Sequence, residues 1–157
     1  MILPTKDELT KLLTAARISK RIIRDLRYVP EGITYPEERD FLAVMNKASA
    51  EGVLLYGERV IPFLLSKRSA NRAGRVEAII CDICATWQRG TNSAVLTLKR
   101  SSERSSSYLV CADLDCSLHV RDMTNASKLS RSQLREHVTI PERIARLETR
   151  LRAICAE

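Results

Sequence analysis

The stretch that decides the fold is Cys81-Asp-Ile-Cys84, followed after 26 intervening residues by Cys111-Ala-Asp-Leu-Asp-Cys116. The cysteines form two short-range pairs, one with two residues between its members and one with four. Four thiolates held in two compact turns are the ligand set that a tetrahedral zinc ion requires. Because four thiolates fill the coordination sphere, the pattern predicts one structural Zn2+ and no open position for catalysis.

Other uses of these cysteines are less consistent with the pattern. Disulfide bonds are unusual in a cytosolic chain, and a thioredoxin-like CxxC lies in a βαβ setting and needs no second pair. His119 is a further candidate ligand, but four cysteines suffice, and a surface histidine in a short helical turn is the favoured interpretation. Cys155 lies on the apolar stripe of the last predicted helix, so we expect it in the core.

The residues between the two pairs predict a β-hairpin. Ser93–Lys99 and Ser107–Cys111 are short β-rich runs, and a loop rich in serine and charge, Arg100–Ser106, separates them. A hairpin of this kind brings the two cysteine pairs together. Zinc also supplies the folding free energy that some 50 residues with few large apolar side chains otherwise lack.

Elements after the second pair are predicted from capping signals and periodicity. Asp113 is a candidate N-cap for a helical turn that begins near Cys116. Residues 124–132 are polar and predict a loop. A closing helix is predicted from Thr139 or Pro141, with an apolar stripe made by Ile144, Leu147, Leu151 and Ile154.

Residues 1–74 predict a small helical bundle. Thr5 and Glu8 have the spacing of a capping box. Ser19 lies within the apolar pattern that follows, which therefore predicts either one helix or two that Ser19 separates. A second helix is predicted from Pro36 to about Gly52, and a third is predicted after Gly57. The fold class is therefore predicted as α+β, with a helical bundle over residues 1–74 and a zinc-binding domain over residues 75–157.

Charge and composition narrow the function classes. The 157 residues carry 26 basic and 19 acidic side chains, a net charge of +7. Residues 1–74 contribute 13 basic and 9 acidic groups, residues 75–122 six of each, and residues 123–157 seven and four. The basic flanks predict an acidic partner, either nucleic acid such as ribosomal RNA or an acidic protein surface; the alternative is that the charge only aids solubility.

Catalytic and membrane motifs are missing from the sequence. The chain has two histidines and no Gly-rich phosphate loop, HExxH or G-x-S-x-G motif, so we expect no enzyme and no small-molecule substrate. No apolar run approaches the roughly 20 residues that cross a bilayer, and the N-terminus does not have the pattern of a secretory signal. A cytoplasmic protein is the expectation.

The run Cys111-Ala-Asp-Leu-Asp-Cys-Ser-Leu-His-Val-Arg121 resembles a known family. It is similar to the treble-clef domain of elongation factor G-binding proteins, the FusB-type fusidic acid resistance proteins and their FBP-domain relatives. Their CxxC, hairpin, second cysteine pair and Arg/Leu-rich closing helix have counterparts here. Two departures stand out: His119 replaces an aromatic residue, and Asp122 replaces a small one.

The resemblance implies a non-enzymatic action in translation, in which the zinc domain binds elongation factor G and promotes its release from the ribosome, with or without fusidic acid. Residue types that favour interfaces give the candidate contacts Lys99, Arg100, Arg104, Tyr108, His119, Arg121 and Met123. Trp87 is expected to pack over the zinc site. The alternative function is zinc-stabilised binding of RNA or the ribosome through arginines of the two flanks, without elongation factor G.

Overall fold

The structure is a computed structural model that describes residues 1–99, 101, 104–135 and 137–156. The chain forms two compact units, one made of Met1–Leu65 with Leu98–Ser106 and one made of Ser66–Thr97 with Ser107–Glu157. Within the described ranges, no helix is both long enough and apolar enough to cross a membrane.

The first unit begins with two short helices, α1 (Lys6–Ala15) and α2 (Lys20–Asp25). The Thr5 side chain accepts a hydrogen bond from the Glu8 N–H, and the Glu8 carboxylate accepts one from the Thr5 N–H at 2.7 Å, so the predicted capping box is present. The Ser19 side chain accepts a hydrogen bond from the Ile22 N–H and caps α2. Of the two alternatives, one helix or two, the structure has two.

Three antiparallel strands follow, where the sequence predicted two further helices. They are β1 (Leu42–Met45), β2 (Glu51–Tyr56) and β3 (Arg59–Lys67), in the order β1-β2-β3. Pro36–Glu38, predicted as a helix entry, is a single 3-10 turn. The prediction of an N-terminal helical bundle is therefore wrong, and this unit combines two helices with an antiparallel sheet, an α+β arrangement.

The physical reason lies in the pattern of burial and in the turns. Residues 42–45 alternate between buried and half-buried, which is the two-residue period of a strand. A two-residue loop, Gly57-Glu58, joins β2 to β3, with Tyr56 opposite Arg59 and Gly57 at φ +58°. Glycine between two apolar runs is a hairpin signal. The spacing of the apolar residues in the same stretch also fits a helix, which is why the sequence predicted helices there.

The core of the first unit is one apolar cluster between helix α1 and the strands. Its buried members are Leu9, Leu13, Tyr28, Leu42, Val44, Val53 and Leu55. The half-buried Ile22 and Ile23 of α2 pack against this cluster. These contacts stabilise both helices, since helices this short are not stable alone in water.

The second unit contains the predicted hairpin and a smaller one. Strands β4 (Ile79–Ile80) and β5 (Trp87–Gln88) pair antiparallel across the Cys81–Cys84 turn. Strands β6 (Ser93–Lys99) and β7 (Ser105–Cys111) are neighbours in their sheet, as the sequence predicted, although Leu98–Ser106 clusters with the first unit. Gly90 lies between the two hairpins, and a Cβ there would meet the Val76 carbonyl oxygen at 1.8 Å.

Three helices complete the second unit: α3 (Cys116–Val120), α4 (Asn125–Leu134) and α5 (Ile140–Ala156). The closing helix α5 is confirmed, and Thr139 and Glu142 cap it with a 2.8 Å bond from the Thr139 N–H. The interpretation of residues 124–132 as a loop is wrong, because α4 occupies them.

The sequence pattern did not predict helix α4 because the buried face of this helix is polar. Thr124 caps it, and its buried residues are Ser127 and Ser130. The Ser130 hydroxyl accepts a 2.8 Å hydrogen bond from the Trp87 N–H in β5. Small hydroxyl side chains allow close packing against the strand but produce no apolar periodicity.

Candidate metal centre

The four paired cysteines meet in the second unit. Cys81 and Cys84 lie at the two ends of the turn between β4 and β5, Cys111 ends β7, and Cys116 begins α3. A knuckle, a hairpin and a helix N-terminus thus each bring their ligands to one point. All four side chains are buried, with at most 1% exposed.

The distances fit one tetrahedral zinc ion. The sulfur atoms all lie within 4.8 Å of one another, and Cys81–Cys116, Cys84–Cys111 and Cys111–Cys116 are 3.8, 3.5 and 3.8 Å apart. Zinc–thiolate bonds of about 2.3 Å place tetrahedral sulfurs roughly 3.8 Å apart. Cys81, Cys84, Cys111 and Cys116 therefore hold one structural Zn2+, which fixes the two hairpins and α3 together.

The electrostatics of the cluster favour a bound cation once the thiols are deprotonated. The Cys111 sulfur, the sulfurs of Cys81 and Cys84, and burial raise the pKa of the Cys116 thiol well above its usual range. Buried thiolates this close repel one another, and a divalent cation offsets that repulsion. Cys155 is buried in α5 and is not in the cluster, as expected.

Outer contacts hold the Cys81–Cys84 turn. The Thr86 hydroxyl lies 2.8 Å from the Cys84 sulfur, and the Ala85 N–H donates to the Cys81 carbonyl at 2.8 Å. From helix α5, Arg150 donates to the carbonyl oxygens of Cys81 and Asp82 at 3.3 and 3.1 Å. Such contacts orient metal ligands, and α5 is thereby attached to the zinc site.

His119 is not at the surface. Its side chain is 1% exposed, with Nδ1 2.7 Å from the Thr124 hydroxyl and Nε2 3.2 Å from the Asp113 carboxylate. Burial raises the pKa of Asp113, but the hydrogen bond and charge of His119 outweigh it and bring that pKa below its usual value. The imidazole thus fills an interior position, at the place where the resemblance predicts an aromatic ring. Because this ring is buried, His119 is no longer among the proposed surface contacts with a partner.

Asp113 is not the N-cap of α3. That position is Asp115, whose side chain makes no capping bond. Asp113 instead accepts a 3.0 Å hydrogen bond from the Asp115 N–H and a 2.8 Å bond from the Asn92 amide. Its carboxylate therefore stabilises the turn between the second pair of ligands.

The ion pairs of Asp122 explain why a carboxylate stands where the resemblance predicts a small residue. Both of its carboxylate oxygens accept 2.9 Å hydrogen bonds from the two Nη atoms of Arg143 in α5, and Arg131 in α4 also pairs with it. The Arg143 hydrogen bond lowers the pKa of Asp122. A small residue here would leave the Arg143 guanidinium, whose side chain is 6% exposed, without this carboxylate.

The remaining predicted contacts occupy different environments. Lys99 and Arg104 are exposed near the end of the β6–β7 hairpin, whereas Arg100 lies outside the described residues. Tyr108 is half-buried and Met123 is 36% exposed. Arg121 is half-buried and donates to the Ser117 carbonyl at 2.9 Å.

Two exposed aliphatic residues near the zinc ligands were missed from the sequence. Ile80 precedes Cys81 and is 53% exposed, and Leu109 lies two residues before Cys111 and is 38% exposed. Asp82, two residues after Ile80, is hydrogen-bonded to Leu109: the Asp82 N–H donates to the Leu109 carbonyl, and the Leu109 N–H donates to the Asp82 carboxylate. The only sequence signal was an apolar residue beside each cysteine pair.

Comparison with known proteins agrees with this geometry. The family model described as FBP C-terminal treble-clef zinc-finger matches residues 29–157, more than half of the chain. No match to a curated protein or to a solved structure was found. The matched range contains all four ligands and also strands β1 to β3. The chain belongs to the FBP C-terminal treble-clef zinc-finger family.

Proposed function

We propose that this protein is a non-enzymatic, cytoplasmic translation-associated factor. In this proposal its zinc-bearing unit binds elongation factor G and promotes release of the factor from the ribosome, either as routine rescue or against fusidic acid. Membership of the family supports the proposal. The observation that carries it is the pair of exposed aliphatic side chains beside the zinc ligands.

The zinc site makes this pair a suitable docking surface. Ile80 and Leu109 belong to backbone segments that the metal and the Asp82 hydrogen bonds hold in place. A surface that is rigid before binding loses little conformational entropy on association, so more of the interaction energy contributes to affinity.

Several of the predicted contacts remain part of the proposal. Tyr108 neighbours Leu109 in β7, and Met123 follows α3, so both lie in the zinc unit with exposed surface. Lys99 and Arg104 are proposed as separate contacts at the hairpin end. Arg121, which is half-buried, is kept as a proposed contact.

The alternative, RNA or ribosome binding through the basic flanks, receives less support. In the last flank, Arg143 and Arg131 pair with Asp122, Arg150 binds backbone carbonyls, and Arg152 pairs with Glu148. In the first flank, Arg21 and Arg24 pair with nearby carboxylates. Most of these arginines therefore have internal partners.

The test is isothermal titration of the zinc-loaded protein into elongation factor G from the same host. Because apolar contacts depend little on salt, we expect binding to persist between about 50 and 200 mM salt, whereas phosphate contacts lose affinity steeply over that range. Ile80→Ser and Leu109→Ser should each weaken binding about tenfold, equivalent to about 1.4 kcal/mol.

The matched control is Val29→Ser, which removes an aliphatic side chain that is 57% exposed in the first unit. Zinc content and circular dichroism of each variant show whether its fold is retained. Absence of heat with the zinc-loaded wild type would refute the proposed partner. Equal weakening by all three variants would refute the proposed surface.

A further inference from the structure

We infer that helix α4 carries a second binding site, a recess for successive phosphate groups of single-stranded RNA. The recess has a volume of about 620 Å³. It is lined by Asp122, Lys128, Arg131, Ser132, Arg135 and His137. It does not include the zinc ligands or the aliphatic pair, and the inference does not rest on binding to elongation factor G.

The charge of the recess is only partly neutralised from within. Asp122 is its only acidic group among the described lining residues; that carboxylate pairs with Arg131 of the lining and also accepts both Nη groups of Arg143. Lys128, Arg135 and His137 make no ion pair or side-chain hydrogen bond among the residues that the structure describes. The recess thus presents Lys128 and Arg135 without a counter-charge among the described residues.

These basic groups contrast with the other arginines nearby. Arg143, Arg150 and Arg152 are all bound to carboxylates or carbonyls of the second unit. Lys128 and Arg135 are exposed to solvent, and no contact within the described residues accounts for their charge. An external anion is the partner that their chemistry fits.

The arrangement along the helix favours a chain of anions over a single one. Lys128 and Arg131 lie about one turn apart on the same face of α4, and Arg135 follows as the left-handed C-cap of that helix, at φ +49°. All three line the same recess, so cations of the helix and of its C-cap face one space. Several cations around one recess suit adjacent phosphates of a flexible nucleic acid strand, and the Ser132 hydroxyl and the His137 ring add polar contacts.

The experiment measures RNA binding by the zinc-loaded full chain in the absence of elongation factor G. The probe is a fluorescein-labelled uridine oligonucleotide of about 12 nucleotides, followed by fluorescence anisotropy between about 50 and 200 mM salt. The test variant Lys128→Gln/Arg135→Gln removes two phosphate contacts. Its affinity at 0.1 M salt should fall roughly 25-fold, and the slope of log K against log salt should decrease by about 1.4.

The control variant Lys47→Gln/Lys67→Gln removes the same charge from two exposed lysines elsewhere, and we expect it to bind RNA within a few-fold of the wild type. Equal losses in both double variants would overturn the inference, because only net charge would then matter. Absence of RNA binding by the wild type would also overturn it. If polyglutamate displaced the RNA at equal charge concentration, the ligand would be an acidic protein surface instead.

Discussion

Replacement of Asp122 by asparagine removes the negative charge that links helix α5 to the segment after α3. Asp122 is 17% exposed and Arg143 is 6% exposed at their side chains. Loss of one partner from a buried pair costs about 3–5 kcal/mol, and the partial exposure of Asp122 places the expected cost near the lower value, about 3 kcal/mol. That is a large share of the roughly 5–15 kcal/mol that stabilises a domain.

The assay is urea unfolding of the zinc-loaded protein, followed by tryptophan fluorescence. The chain has a single tryptophan, Trp87, which lies in β5, so the signal reports on the second unit. With an m-value of about 1.5 kcal/mol/M, the midpoint of Asp122→Asn should fall by about 2 M.

Two further variants separate the buried pair from the exposed one. Arg131 is 58% exposed, so Arg131→Gln should cost less than about 1 kcal/mol. A double-mutant cycle of Asp122→Asn with Arg143→Met should give a coupling energy of about 2 kcal/mol. A change below about 0.5 kcal/mol for Asp122→Asn, or no coupling in the cycle, would refute the role given to this ion pair.

Three other outcomes are expected. Arg150→Met should weaken zinc binding about 10- to 100-fold in competition with a chelator, because the Cys81 turn loses its outer contacts. Arg152→Met, which removes an exposed ion pair on the same helix, should leave zinc affinity unchanged. Equal zinc affinities of the two variants would contradict the role given to Arg150. Gly90→Ala should destabilise the second unit by more than about 2 kcal/mol in urea unfolding, because the added Cβ has no space. Gly57→Ala is strained only by its positive φ and should destabilise the first unit by about 1 kcal/mol. Equally small effects of the two variants would argue against the close approach at Gly90. The folded-state pKa of Asp122 is lowered. The stabilisation by its carboxylate should therefore be present above about pH 4 and disappear as pH falls through the folded-state pKa. A carboxyl-carbon NMR titration with a midpoint at or above the ordinary aspartate pKa would contradict this direction of the shift.

The metal site was predictable because its determinants are local. The spacing within each cysteine pair fixes two turns, and the preference of zinc for four thiolates leaves little choice of ligands. The β6–β7 hairpin and helix α5 also carry strong signals, alternation in one and capping by Thr139 and Glu142 in the other. None of these elements depends on a distant contact to be recognised.

The elements that sequence reasoning missed depend on tertiary contacts. Residues 42–67 contain apolar runs whose spacing fits either a helix or a strand, and pairing between β1, β2 and β3 decides the outcome. Helix α4 packs through Ser127 and Ser130, which give no hydrophobic period. The Asp122–Arg143 pair joins residues 21 positions apart, and nothing local to either residue indicates its partner.

The most direct test of the central claim, that four cysteines hold one structural zinc ion, is native mass spectrometry of the full chain. The account predicts one zinc per chain in the wild type, and zinc loss with a changed Trp87 emission spectrum in Cys116→Ser. A Cys116→Ser protein with full zinc content and unchanged emission would contradict the ligand assignment.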